Sequence, residues 1–337
     1  MTRPPLGVTA ASIQALGTDT MLSAARLAKD LGYRSYWTAE TTGPEAFASL
    51  AAVGAVAPGM DLGTGVLALQ LRTPMLAAMG AATLQSLQPD IEVVLGVGVS
   101  SPVVTGQWHG TPYGERPVAR CREYLTLVRE CLTGEAVTFD GDFYRCRRFR
   151  LGVRLGERRP KLLLGALNGQ MLRLAGEVAD GVLLNYLPAT AVRWCVEQVR
   201  AGEVAAGRLS GSCTVYAYVH VGVGDRDAAA ELARRDLFSY AVVPAYAAAF
   251  ARAGFADDVA AVAEHHATGD RDAALAAISN AMIDAIDIVG DPGHVASSVR
   301  AYVEAGVEVP VVMPLPWAAD RRAAVAETIT AVAEGLG

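Results

Sequence analysis

The sequence lacks most of the features that would assign a function at once. Its five cysteines (Cys121, Cys131, Cys146, Cys195, Cys213) are odd in number and form no C-x-x-C pair. That excludes a disulfide framework and a zinc ribbon, and leaves reduced thiols in a cytoplasmic protein as the expectation. Residues 1–20 have no cationic start followed by an apolar run, and no uncharged apolar stretch is long enough to span a bilayer. Neither a signal peptide nor a membrane partner is therefore expected. The net charge is −6 with no basic block, which argues against nucleic acid. His265-His266 has no third ligand in view, no zinc spacing occurs, and Asp140 and Asp142 sit in a turn, so no metal site is expected. The run Gly96-Val97-Gly98-Val99-Ser100-Ser101 lacks the third glycine, the immediate helix and the acidic ribose ligand of a dinucleotide fingerprint. A Walker lysine and a Ser-His-Asp order are also missing.

What is present is a strand–helix rhythm in a chain of 337 residues that is 52% apolar. Strand candidates at Leu6–Ala11, Tyr33–Thr38, Asp61–Leu69 and from Ile91 are each followed by a helical pattern. Thr18/Asp19 is expected to cap the first helix, Pro44 opens the second and Thr73-Pro74 the third. Asp140-Gly141 predicts a small antiparallel hairpin over Thr138–Arg147. The rhythm resumes with strands Lys161–Gly165, Gly181–Asn185, Thr214–Val223 and Val307–Met313 and their helices. Eight strands with short connections predict one (β/α)8 TIM barrel over residues 1–337, with a helical insertion at 225–287 before the last strand.

The stretch Ile91–Tyr124 organises this reading. A β-branched run breaks at Gly96-Val97-Gly98, and an irregular loop carrying Trp108 and His109 precedes a helix from Pro117. Buried parallel strands that end in polar loops are where α/β proteins place their chemistry. His109 is a candidate proton donor or a structural loop histidine. Glu40, at the end of strand two, is a candidate general acid/base or a capping carboxylate for the Pro44 helix. Gly165-Ala166-Leu167-Asn168-Gly169-Gln170-Met171 joins a strand to a helix start. It reads either as an anion nest, with Asn168-Gly169 permitting unusual φ, or as an ordinary turn.

Trp37-Thr38-Ala39-Glu40-Thr41, Leu62–Val66, Arg72-Thr73-Pro74, and above all Leu95–Tyr113 with its Gln107-Trp108-His109-Gly110, occur here in order and at characteristic spacing. With Leu174–Gly181 they resemble the bacterial-luciferase-like superfamily over nearly the whole chain, specifically its actinobacterial F420-dependent oxidoreductases. The resemblance implies the luciferase-like (β/α)8 barrel and coenzyme F420, with FMN as the alternative cofactor. It implies a non-proline cis peptide at Gly65-Val66 behind the deazaflavin. Gly98, Val99 and Ser100 would lie along the cofactor tail, and the Asn168, Gly169, Gln170 and Met171 amides would take its phosphate. Glu40 and His109 are then the proton-handling candidates, with Trp37, Thr41 and Trp108 toward the substrate.

The family's catalytic histidine after the strand-two acid is Thr41 here. A further glutamate acid of its sugar-phosphate dehydrogenases is Ser101, so sugar-phosphate oxidation is not expected. Hydride transfer that reduces an activated C=C or C=N bond of a small molecule is the expectation. An FMN-dependent monooxygenase and a non-catalytic cofactor-binding relative are the alternatives, and the subgroup's habit implies a homodimer.

Overall fold

The computed structural model describes residues 3–337. Eight parallel strands alternate with helices in the order of a (β/α)8 barrel. They are β1 (Gly7–Thr9), β2 (Ser35–Thr38), β3 (Asp61–Thr64), β4 (Val93–Gly98), β5 (Lys161–Gly165), β6 (Gly181–Leu184), β7 (Thr214–Val223) and β8 (Val309–Pro314). The chain resolves into two compact units, one of Met1–Tyr33, Leu184–Glu197 and Val215–Gly337, the other of Arg34–Leu183 and Gln198–Thr214.

In the second unit β2, β3, β4, β5 and β6 pair side by side, all parallel. Nearly all of their residues are buried, polar Ser35, Thr38, Asp61 and Thr64 among them, as strands covered on both faces show. β3 is shorter than its pattern suggests. It stops at Thr64 and resumes as Leu67–Ala68 against β4, and the intervening Gly65–Val66 peptide is cis, as the resemblance implied. Across this break the buried Thr64 hydroxyl takes over from the backbone ladder: it accepts from Gly96 N–H and donates to Gly96 O, both at 2.8 Å. A Cβ at Gly96 would lie 2.0 Å from Thr64 O, so only glycine permits this approach. The hairpin is formed by Val137–Asp140 and Arg145–Phe149, at the expected Asp140-Gly141 turn.

In the first unit β1, β8 and β7 pair in that order, and a further strand, Asp287–Gly290, extends β7. The sequence pattern ends the helical segment at Asp287 and assigns no strand between it and the helix restarting at Gly290-Asp291-Pro292, because four residues directly after a helix carry no alternation. The segment itself folds as helices Arg226–Ala241, Pro244–Phe250, Ala256–Ala267, Arg271–Ala276 and Asn280–Ile286. These close on their own apolar core of Leu237, Phe250, Val262, Ile278, Met282 and Ile283. Each such buried side chain contributes about 1.5–3 kcal/mol. The first helix (Thr18–Asp30) is not capped by Thr18 or Asp19 as expected; Gly17, at φ 90°, occupies the cap position without a side-chain hydrogen bond.

Among the described residues no helix is long and apolar enough to cross a membrane.

Candidate active site

Every site residue expected from the sequence falls within the second unit. The structure brings some of them together and gives others different surroundings.

Glu40 follows β2 and is held on both oxygens. Arg72 Nη2 donates to Oε1 at 2.9 Å and its Nε to Oε2 at 3.2 Å, while the Ala46 N–H reaches Oε1 at 3.3 Å. Arg72 also pairs with Glu45, whose carboxylate caps the helix Ala46–Val56 by accepting from Ala48 N–H, and its guanidinium lies 5.3 Å from the Phe47 ring centre. Glu40's hydrogen bond pushes the Arg72 guanidinium further up from its ordinary range, so the guanidinium stays charged. Bidentate contact between half-buried groups fixes a carboxylate in position. Arg72 itself was part of the sequence motif without a role. Its signal was an arginine just ahead of the Thr73 cap, in reach of a strand-end acid.

His109 has other surroundings. The chain leaves β4, turns through a wide helical turn (Val103–Trp108) in which Ser101 accepts from the Val104 and Thr105 N–H groups, and presents Trp108 and His109 at the surface. Trp108 is 56% exposed, so its ring is available to a ligand. The imidazole reaches back to the loop after β2, where Nε2 lies 2.7 Å from the Thr41 carbonyl. A carbonyl only accepts, so Nε2 carries the hydrogen and Nδ1 is the atom left to take up or release a proton. Thr41 thus meets the histidine that the resemblance would have placed in its own sequence position.

Trp37, read as a pocket wall, is a core residue instead. It is 1% exposed, donates from Nε1 to Ser35 Oγ at 2.9 Å, and covers Gly63 on the neighbouring strand. The alternation of β2 made it equally able to face either side, and the glycine opposite decided the matter.

Val66 lies against two glycines. A Cβ at Gly98 would fall 2.8 Å from Val66 Cγ2, and one at Gly165 would fall 3.3 Å from Cγ1. The carboxyl ends of β3, β4 and β5 therefore offer a low, apolar floor of one valine over bare backbone, with Val99 and Ser100 partly exposed beyond it. The helix Gly169–Val178 starts at the end of β5. Its N-cap is Asn168, whose Oδ1 accepts from Met171 N–H at 3.0 Å. Met171's amide is therefore already engaged and its side chain is buried, which removes it from the expected anion nest. No positive φ occurs at Asn168 or Gly169 either. The Gly169 and Gln170 amides and the helix dipole keep the anion-binding capacity.

The first unit holds a second polar cluster that sequence reading missed, because its members share no local spacing. His220 on β7, Asp236 on the helix Arg226–Ala241 and Asp287 on the strand beside β7 converge under Tyr186. Burial lowers the His220 imidazole to about 4, and burial raises both carboxyls, Asp236 further through the neighbouring Asp287.

Residues 5–308 match the family model described as luciferase-like monooxygenase. A protein of Mycobacterium tuberculosis assigned as a coenzyme F420-dependent oxidoreductase is 31% identical over 85% of this chain and 88% of its own. The 5,10-methylenetetrahydromethanopterin reductase of Archaeoglobus fulgidus is 28% identical over 88% of this chain and 90% of its own. The solved structure of the coenzyme F420-dependent tetrahydromethanopterin reductase from Methanopyrus kandleri superposes with a TM-score of 0.82 at 22% identity, covering 99% of this chain and 98% of that one. The fold is thus the luciferase-like (β/α)8 barrel, its relatives are enzymes, and this chain belongs to the luciferase-like monooxygenase family.

Proposed function

We propose that this protein is an F420-dependent oxidoreductase that reduces an activated C=C or C=N bond of a small organic substrate. The carrying observation is the floor formed by Val66 across Gly98 and Gly165, with the start of the Gly169–Val178 helix beside it at the end of β5. A planar deazaflavin suits a surface without protruding side chains, and an anionic tail suits the Gly169 and Gln170 amides. Val99 and Ser100 extend the same edge. The names of the relatives point the same way.

When bound, F420 supplies the hydride. The chain's part is orientation and proton supply. His109, held through Nε2–H by the Thr41 carbonyl, takes a proton from solvent at Nδ1 and as the imidazolium passes it from Nδ1 to the substrate, returning to the neutral ring; exposed Trp108 covers the substrate. Glu40 acts as a fixed anion that holds Arg72 and the loop after β2, a positioning role distinct from that of His109. The reading includes a cytoplasmic homodimer. Leu76, Met79 and Leu87, exposed along the helix Pro74–Leu87, would form its apolar face, and sedimentation at micromolar concentration tests it.

The deciding experiment titrates the purified protein with F420 and separately with FMN, following tryptophan fluorescence. Tenfold tighter F420 binding (about 1.4 kcal/mol) supports the proposal, and anaerobic oxidation of reduced F420 by an enone or imine would complete it. Preference for FMN with oxygen uptake would replace it with a flavin monooxygenase. F420 binding without turnover over a broad panel would favour a non-catalytic relative.

A further inference from the structure

We infer that His220, Asp236 and Asp287 form a binding site for one divalent transition-metal cation, which pins the 226–286 helical segment to the strands β7 and Asp287–Gly290.

Asn185 Oδ1 accepts from the Tyr186 N–H at 3.0 Å, which identifies it as the amide oxygen, and His220 Nε2 lies 2.8 Å from the same atom. Nε2 must therefore carry the hydrogen, and the neutral imidazole presents a lone pair at Nδ1. That lone pair faces Asp287 Oδ1 at 2.9 Å. Asp287 is 1% exposed, and its other oxygen, Oδ2, is buried with no hydrogen-bond partner. Asp236 turns one oxygen to the Tyr186 hydroxyl, which donates to it at 2.8 Å. One ligand atom from each of the three side chains lies within 4.8 Å of the other two. The three side chains converge, and the Tyr186 phenol donates to Asp236.

The buried Asp287 Oδ2 has no donor to satisfy it, and a buried polar atom left unpaired is costly. One divalent cation among the three side chains would engage Asp287, Asp236 and the Nδ1 lone pair together. The 2.9 Å between Nδ1 and Asp287 Oδ1 is also the spacing of two ligands at right angles, each about 2.1 Å from a shared ion. The Nε2–H to Asn185 bond is the outer contact that metal-bound histidines use to fix their tautomer. One imidazole and two carboxylates select manganese, iron, cobalt or zinc over calcium. Asp236 is partly exposed whereas His220 and Asp287 are fully buried, so an ion reaches the site along the Asp236 side and the helix Arg226–Ala241 becomes the element it locks.

The test uses the full-length protein, stripped with a chelator and dialysed against cobalt(II), with zinc(II) in parallel. The expected result is one cobalt per chain, visible d–d absorption of a nitrogen- and oxygen-ligated ion, and a higher melting temperature with zinc. Asp287→Asn, which keeps the size of the side chain, should weaken binding by more than about 100-fold. Should that variant fail to fold, Asp236→Asn at the partly exposed edge reads the same loss. A double change of the surface pair, His265→Ala with His266→Ala, should leave stoichiometry at one. Wild-type protein that binds less than a tenth of an equivalent would overturn the inference. So would unchanged binding by both Asp variants, or loss of the ion with the His265/His266 change.

Discussion

His109 Nε2 donates to the main-chain carbonyl of Thr41 across 68 residues of sequence, at 2.7 Å. An imidazole from the loop after β4 thus stands beside Thr41, the position on the loop after β2 where the family that the chain resembles carries a histidine. If it supplies the proton, His109→Ala should lower kcat by about 100-fold or more and leave the F420 dissociation constant within about twofold. Equal losses in both would show that the residue only shapes the loop.

The Glu40–Arg72 pair predicts a different pattern. Both side chains are largely buried, at 14% and 16% exposure, and the contact is bidentate. Arg72→Ala should cost about 2–4 kcal/mol in chemical denaturation, since it strands a half-buried carboxylate. Arg72→Lys should recover little, because an ammonium cannot span both oxygens. Full recovery with lysine would reduce the interaction to simple charge.

Two glycine substitutions should separate stability from binding. Gly63→Ala would put a methyl group 2.4 Å from the Trp37 ring, and overpacking there should cost about 1–3 kcal/mol. Gly98→Ala pushes only on the end of partly exposed Val66, so melting should shift little while F420 affinity falls about tenfold or more. A large loss of stability with unchanged affinity in Gly98→Ala would remove the floor from the site.

The thiols give a pH-dependent prediction. Burial pushes Cys121 and Cys213 up to about 12 and Cys195 up to about 11, and Cys131 is equally buried, while Cys146 on the hairpin is only partly covered. A disulfide reagent at pH 8 should label one thiol quickly, and Cys146→Ser should abolish that phase. In the unfolded chain the buried thiols lose their protons at ordinary thiol values, whereas the folded chain keeps them. Stability should therefore fall as pH rises from about 9 toward about 12. Two or more rapidly labelled thiols in native protein would contradict this burial.

Much of the scaffold was legible because local signals agreed with one another. Lys161–Gly165, Gly169–Val178 and Thr214–Val223 have the bounds that their apolar runs and the loop-to-helix start at Gly169 specify. The errors occurred where tertiary contacts decide. The facing of Trp37 depends on Gly63, and the break in β3 depends on Thr64 meeting Gly96. The strand Asp287–Gly290 forms only because β7 offers it an edge. His220, Asp236 and Asp287 come from three separate elements, and nothing in their spacing announces that they meet. Glu40 and His109 were singled out by position, but position could not show that one is clamped by arginine and the other exposed.

The floor at Val66 is built from main chain and hydrogen atoms at Gly98 and Gly165, with a single aliphatic side chain laid over them. Most point mutations change side chains, so nearly all of them leave such a surface as it was. The neighbouring loop 101–113, rich in exposed side chains, has no such protection. A protein arranged in this way can exchange one small-molecule partner for another over generations by rewriting the loop while the seat beneath it stays constant.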